Sequence, residues 1–307
     1  MKNEDIIAMA GTQRIFRSRY KLDRPGLISH ITQRAAGREP LFLEDNDYLA
    51  MLGIFKKKAE EYHLDFIAFS QMPNHVHILI KPEEKNLFPA MRDIFSGYAK
   101  WFNRKYQRKG HLFGGAYRQA VCLDSAYLLA ASAYIHLNPV SAGLTDDALK
   151  YRWSSCSLYC ADKPVESFVD PAPVLEVLDN DFSAAASQYR LILKEAREVR
   201  HENILEKEGV VERLCLRLSE VFPSIFSRLA KKSVNPGIDI HDQPSFIDIE
   251  NMARNFKPMV STRDPQTKRA RKYIVQQLQA RGFNRKEIAC RLNVSQKTIY
   301  TILNHTP

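Results

Sequence analysis

The 307-residue chain lacks any apolar run near the roughly 18 residues that cross a bilayer, and its first residues carry no apolar stretch of the secretory-signal type. A cytoplasmic protein without a membrane partner is therefore expected. Cysteine is scarce: Cys122, Cys156, Cys160, Cys215 and Cys290 are odd in number and scattered. Cys156 and Cys160 fall four apart, but no second Cys/His pair completes a zinc set, so free thiols in a reducing compartment are expected. Internal repeats are absent. Also absent is the aromatic strand motif of RNA-binding ferredoxin-like sheets, which counts against an RNA-binding role.

Positive charge, by contrast, is in excess and unevenly placed. The net charge is +10, and the segment from Arg263 to Lys297 holds ten Lys and Arg against Asp264 and Glu287. A second cluster comprises Arg14, Arg17, Arg19, Lys21 and Arg24. Two basic clusters favour a polyanionic partner. With 45% hydrophobic residues the chain can bury a full core, and its length suits two domains.

Residues 27–33 alternate weakly and read as a strand. Asp45–Tyr62 reads as a helix capped by Asp45 or Asn46. Strands over 64–70 and 76–81, joined by Pro73-Asn74, make a hairpin. A second amphipathic helix spans 86–105, with Phe88, Met91, Phe95, Tyr98 and Phe102 on one face. A fourth strand covers 116–123, and Asp124 caps a third helix that Pro139 stops. This β-α-β-β-α-β-α order predicts an α+β fold, a ferredoxin-like split βαβ with an antiparallel sheet. Residues 160–182 carry three prolines and read as a linker. Helices are expected over 183–208 and 210–227, a loop over 233–263, and a basic helical region over 268–303. The expected domains are 1–160, a helical and linker region 161–262, and 263–307.

The run Met72-Pro73-Asn74-His75-Val76-His77-Ile78-Leu79-Ile80 carries the sharpest chemistry. Strand side chains at i and i+2 share a face, so His75 and His77 can converge on one ion while Val76, Ile78 and Ile80 pack behind them. On the third helix, Tyr134 and Asn138 lie at i and i+4 and point the same way. A phenol beside a cation held by two imidazoles and an amide oxygen is what a phosphodiester-cleaving tyrosine needs. A phenol of pKa about 10 is mostly protonated at neutral pH, and a cation on the phosphate offsets this by polarising phosphorus. The same Tyr-x3-Asn/Gln spacing recurs at Tyr273/Gln277 and Tyr300/Asn304, so it points to chemistry only in company with the histidine pair.

These residues, together with Arg24-Pro25-Gly26, Asp47-Tyr48, Gly110-His111-Leu112-Phe113, Tyr134-Ile135-His136-Leu137-Asn138-Pro139-Val140, Ala142-Gly143 and Trp153-Ser154-Ser155, resemble the REP-associated tyrosine transposases. Those are relatives of the IS200/IS605 single-tyrosine transposases of the HUH class. The similarity runs from about Arg14 to Lys194. It implies that His75, His77 and Asn138 bind Mg²⁺ or Mn²⁺ and that Tyr134 is the nucleophile. It further implies hairpin-flanked single-stranded DNA as substrate, a 5′-phosphotyrosine intermediate, and either a monomer or a homodimer. Phe113-Gly114-Gly115-Ala116-Tyr117 departs from the family's usual Phe-Gln-Gly-Arg pattern, and Ser29 stands where an aromatic is usual.

The segment Phe283–Tyr300 resembles a helix-turn-helix, with Ile288, Leu292, Val294 and Ile299 as its core and Ser295 capping the second helix. Arg285, Lys286, Gln296, Lys297, Thr298 and Tyr300 are its candidate contacts to duplex DNA, while Arg14, Arg17, Arg19 and Arg118 are candidates in the N-terminal part. Two functions follow: a metal-dependent enzyme that cuts and rejoins single-stranded DNA at hairpins, working at the nucleoid, or a non-catalytic DNA-binding regulator acting through the C-terminal module.

Overall fold

The computed structural model describes residues 15–16, 21–198 except 38 and 123, 210–230 and 285–304, with isolated positions 234, 271, 272, 274, 275 and 278. Arg14, Arg17, Arg19, Tyr273 and Gln277 lie outside the described residues. The chain divides into two compact units, one of residues 15–237 and one of 1–14 with 238–307.

The first unit is an antiparallel sheet of five strands in the order β1-β5-β2-β4-β3. These are β1 (Ile15–Phe16), β2 (Ser29–Arg34), β3 (Leu64–Met72), β4 (His75–Pro82) and β5 (Arg118–Val121). The four longer strands and their connecting helices follow the expected split βαβ order. The two-residue β1 was not foreseen; it pairs with β5 through Ile15↔Ala120 and Phe16↔Gln119.

Period-two alternation divides the sheet into an apolar face and a polar one. Ile31, Val76, Ile78 and Ile80 enter a core with Met51 and Phe55 of α1 (Asp45–Tyr62) and Met91, Phe95 and Tyr98 of α2 (Leu87–Lys105). On α2, Leu87 and Ile94 are buried where Phe88 was expected, and Phe88 is 53% exposed. It falls one residue off the stripe. The N-cap of α1 is Glu44, one residue before the expected cap. Asp47 accounts for the shift: its carboxylate accepts the backbone N–H of Leu43 at 2.7 Å and of Glu44 at 3.2 Å.

The opposite face is covered by α3 (Ser125–Ser141), which packs on β3 and β4. Asp124 caps it as expected, accepting the Tyr127 N–H at 2.8 Å. Pro139 does not stop it. Proline sits in the last turn, and the chain leaves the helix at Gly143, whose φ of +70° suits glycine. Residues 160–182 also pack more than a linker would. Val169 is buried, and the Asp170 N–H donates to the Phe66 carbonyl at 2.8 Å.

Beyond α3 lie the short α4 (Cys156–Tyr159) and α5 (Ala172–Leu175), then α6 (Phe182–Glu198), α7 (Val210–Val221) and α8 (Pro223–Leu229). The last two replace one expected helix because Pro223 begins a new one. α3 packs against α6, α7 and α8 as well as the sheet. In the second unit, α9 (Arg285–Arg291) and α10 (Gln296–Asn304) pack together through buried Ile288, Ala289, Leu292 and Ile299. No described helix is long and apolar enough to cross a membrane.

Candidate active site

The polar face of the sheet is set by register. His77 on β4 lies opposite Thr32 on β2 and Ser70 on β3, and Thr32 in turn lies opposite Arg118 on β5. His75 lies opposite Arg34 and Met72. The His75 and His77 rings meet edge-on, with centroids 4.9 Å apart.

Each histidine is oriented by a partner at its Nδ1. His75 Nδ1–H donates to Asn74 Oδ1 at 2.7 Å. His77 Nδ1 lies 2.9 Å from His30 Nε2 and 3.2 Å from Thr32 Oγ1, while its Nε2 faces the Asn138 amide nitrogen at 3.3 Å. With Nδ1 as donor in both rings, the Nε2 lone pairs are left as ligands. Burial holds the pKa of His77 well below the usual imidazole value, helped by the charges of His75, His30 and Arg34. Burial alone lowers that of His30 to about 4. Both rings are therefore neutral at pH 7.

From α3, Tyr134 reaches the same place. Its ring stands edge-on to His77 at 5.4 Å and to His30 at 6.0 Å, centroid to centroid. Asn138, one turn on, is 1% exposed, and its Oδ1 has no hydrogen-bond partner among the described residues. A buried amide oxygen without a partner costs about 1–3 kcal/mol. A hard divalent cation is the ligand that would satisfy it: such ions take amide oxygen, and imidazole nitrogen is an accepted companion. Among the described residues no three His, Cys, Asp or Glu side chains converge to hold a metal ion. His75, His77 and Asn138 offer two imidazole nitrogens and an amide oxygen, donor types that suit a divalent cation.

A second, buried network fixes α3 from behind. His136 Nε2 meets Ser155 Oγ at 2.9 Å, and His136 Nδ1 meets the Tyr189 hydroxyl at 2.8 Å. That hydroxyl donates to Ser132 Oγ at 3.1 Å, and Ser132 donates to the Leu129 carbonyl. Burial pushes the His136 pKa down to about 3, so the ring stays neutral. Because successive hydroxyls and nitrogens are satisfied in one direction, the helix carrying Tyr134 is held in a single rotation against Ser155 and α6.

Residues 24–138 match the family model described as "Transposase IS200 like". This segment belongs to the IS200-like transposases. Transposases of this family are enzymes that cleave DNA. No curated protein matches the chain. A solved structure described as a REP-associated tyrosine transposase bound to a REP hairpin is similar over 50% of this chain and 94% of its own, at 14% identity and a TM-score of 0.42.

In the IS200-like segment the structure brings His75, His77, Tyr134 and Asn138 together, with Arg118 on the same sheet face two strands from His77. The C-terminal candidates Arg285, Lys286, Gln296, Lys297 and Tyr300 are exposed on α9 and α10, and Thr298 is half-buried. His30 was missed by sequence reasoning: a single histidine in a weakly alternating strand gives no signal until register sets it beside His77. The altered Gly114-Gly115 stretch lies close to the end of β2. A Cβ on Gly114 would lie 3.0 Å from the Ala35 carbonyl oxygen, and the Gly114 N–H donates to the Arg34 carbonyl at 3.1 Å. A side chain at Gly114 would therefore press on the end of β2, which would have to give by a few tenths of an ångström.

Proposed function

We propose that the chain is a metal-dependent single-stranded-DNA transposase acting at hairpin sequences, in which Tyr134 forms a 5′-phosphotyrosine. The observation that carries this reading is the convergence of Tyr134 and the Asn138 amide on His77, with the amide oxygen left without a partner among the described residues. The phenol oxygen of Tyr134 attacks phosphorus, and the bond from phosphorus to the 3′ oxygen of the preceding nucleotide breaks. The leaving oxygen takes the electron pair and acquires the proton the phenol gives up through solvent, freeing a 3′ hydroxyl. Reversal by another 3′ hydroxyl rejoins the strand and releases Tyr134, so the energy of the phosphodiester is conserved.

His75, His77 and Asn138 would hold Mg²⁺ or Mn²⁺. Bound there, the cation would polarise the phosphate and stabilise charge developing on its oxygens. Asn74 and His30 orient the two imidazoles, and the Ser155–His136–Tyr189 chain sets the rotation of α3. The test is to incubate the full chain with labelled hairpin single strands and Mg²⁺ or Mn²⁺ and look for a covalent adduct that maps to Tyr134. A chain that binds DNA tightly but forms no adduct with either ion is the non-catalytic regulator instead.

The cation has a readout of its own. Saturating Mn²⁺ at about 100 times its dissociation constant should stabilise the fold by about 2.7 kcal/mol. Asn138→Leu should abolish the rise in melting temperature while leaving the metal-free protein at least as stable, because the partnerless oxygen is gone. A full metal-induced shift in Asn138→Leu would remove Asn138 from the ligand set.

The domain arrangement we propose pairs residues 1–160 as the cutting domain with 263–307 as a reader of duplex DNA, joined by 161–262. Ser295 caps α10, accepting the Thr298 N–H at 3.1 Å, and so presents Gln296 and Lys297 on the exposed leading turn. Helix N-termini of this kind address base edges in the major groove. Lys297→Glu should weaken duplex binding at least tenfold without changing adduct formation on short unpaired strands. Equal duplex affinity would exclude α10 as the reader.

A further inference from the structure

Around the histidine pair, solvent reaches four side chains of the polar face, Tyr134, Thr32, Arg34 and Arg118, whereas His30, His75, His77 and Asn138 behind them are buried. Pairing fixes how they are laid out. Thr32 lies between His77 and Arg118 across the sheet, and Arg34 lies two residues along β2, opposite His75. Strands are spaced about 4.8 Å apart and i, i+2 side chains about 6.6 Å, so Arg34 and Arg118 stand diagonally roughly 8 Å apart at Cα. That is the scale of neighbouring phosphates on an extended single strand. None of the residues sharing this face over 68–72, 75–79, 30–34 and 118–120 is Asp or Glu. The end of β2 is also fixed in place. The Ala35 N–H donates to the Asn74 carbonyl at 2.9 Å, and the Arg34 carbonyl accepts from Gly114. Arg34 therefore projects from backbone tied both to the histidine turn and to the glycine loop.

We propose that Arg34 and Arg118 form a phosphate track that leads the DNA strand from the histidine pair across β2 to β5, Arg34 binding the phosphodiester at the cleavage point and Arg118 the next one. This rests on Tyr134 being the nucleophile, because that choice puts the cleavage point beside His75 and His77. Guanidinium is well matched to such a strand, since its fork of donors takes two phosphate oxygens at once and stays charged at any working pH. Thr32, between the two arginines, bonds His77.

The test measures binding of the full chain to a short unpaired oligodeoxynucleotide across a salt series, without divalent metal. Each phosphate neutralised on a single strand contributes a slope of about −0.7 in log affinity against log salt. Arg34→Gln and Arg118→Gln should each make the slope shallower by about 0.7, and the double variant by about 1.4. Lys57→Gln, an exposed charge on α1 behind the sheet, should leave it unchanged. Arg34→Lys should restore the slope but not the adduct rate at saturating DNA, since a single ammonium lacks the bidentate grip. A wild-type slope in either Arg→Gln variant, or an equal loss in Lys57→Gln, overturns the track. If the slopes change as expected while wild-type protein forms no adduct with metal, the track stands and the nucleophile assignment falls.

Discussion

Replacing Tyr134 with phenylalanine should abolish the covalent DNA adduct, with cleavage falling at least 10⁴-fold, while the melting temperature moves by less than a few degrees. The ring is half-buried and contacts His77 and His30 through its edge; phenylalanine keeps those contacts. Only the phenol oxygen, the proposed attacking group, is lost. Tyr189, on the adjoining α6, spends its hydroxyl between His136 and Ser132 and is fully buried. Its burial also raises its pKa well above the ordinary phenol value. Gel shift under denaturing conditions measures the adduct, and calorimetry the fold. An adduct of undiminished yield in Tyr134→Phe would end the assignment of this residue.

The largest expected loss of stability is elsewhere, in Asp47→Ala. The carboxylate of Asp47 is fully buried and receives the N–H groups of Leu43 and Glu44, the Lys105 ammonium and the Tyr106 hydroxyl. Alanine leaves several of those donors without an acceptor and cuts the tie between the start of α1 and the end of α2. A cost of about 3 kcal/mol follows from buried charge-assisted bonds. In a unit of this size that is a fall of about 6–12 °C in melting temperature.

The same carboxylate sets an acid limit. Burial pushes its pKa up, but the hydrogen bonds from Lys105, Leu43, Tyr106 and Glu44 outweigh this and hold it below the ordinary 3.8. A lowered folded-state pKa means the stabilisation is complete above the unfolded value and disappears as pH falls through the folded one. Wild-type stability should therefore drop more steeply than that of Asp47→Ala once the pH is taken below about 4. Parallel curves would show that Asp47 is not the group responsible.

Much of this was legible in the sequence, and the boundary of what was legible is physical. The bounds of α1, the hairpin at Pro73-Asn74, the Asp124 cap and the face shared by His75 and His77 all follow from interactions between residues close in sequence. What eluded sequence reasoning depends on partners far along the chain. β1 has two residues and exists only because β5 offers it an edge. Val169 looks like part of a proline-rich linker until Phe66 receives it. His30 and Arg34 acquire meaning only from the pairing of β2 with β4, and His136 only from Ser155 and Tyr189. Pro139 is different: its rule was applied one turn too early, since a proline in the final turn forfeits little. Phe88 was misjudged by a single position on the helix wheel.

The alternation along β4 has an evolutionary consequence. His75 and His77 share one strand with Val76, Ile78 and Ile80, so the placement of the imidazole pair and core packing are encoded in the same short run. Substitution can touch one property and spare the other. Insertion or deletion of one residue cannot, because it would turn the imidazoles into the α1–α2 layer and bring isoleucines to the polar face in a single step. The sheet does absorb an irregularity, but on β3, between Phe66 and Ala68, away from the histidines. Lineages descended from this chain should thus vary freely in the length of the loops around the sheet while the spacing from Pro73 to Ile80 stays constant, even in copies that have lost Tyr134 and kept only the fold.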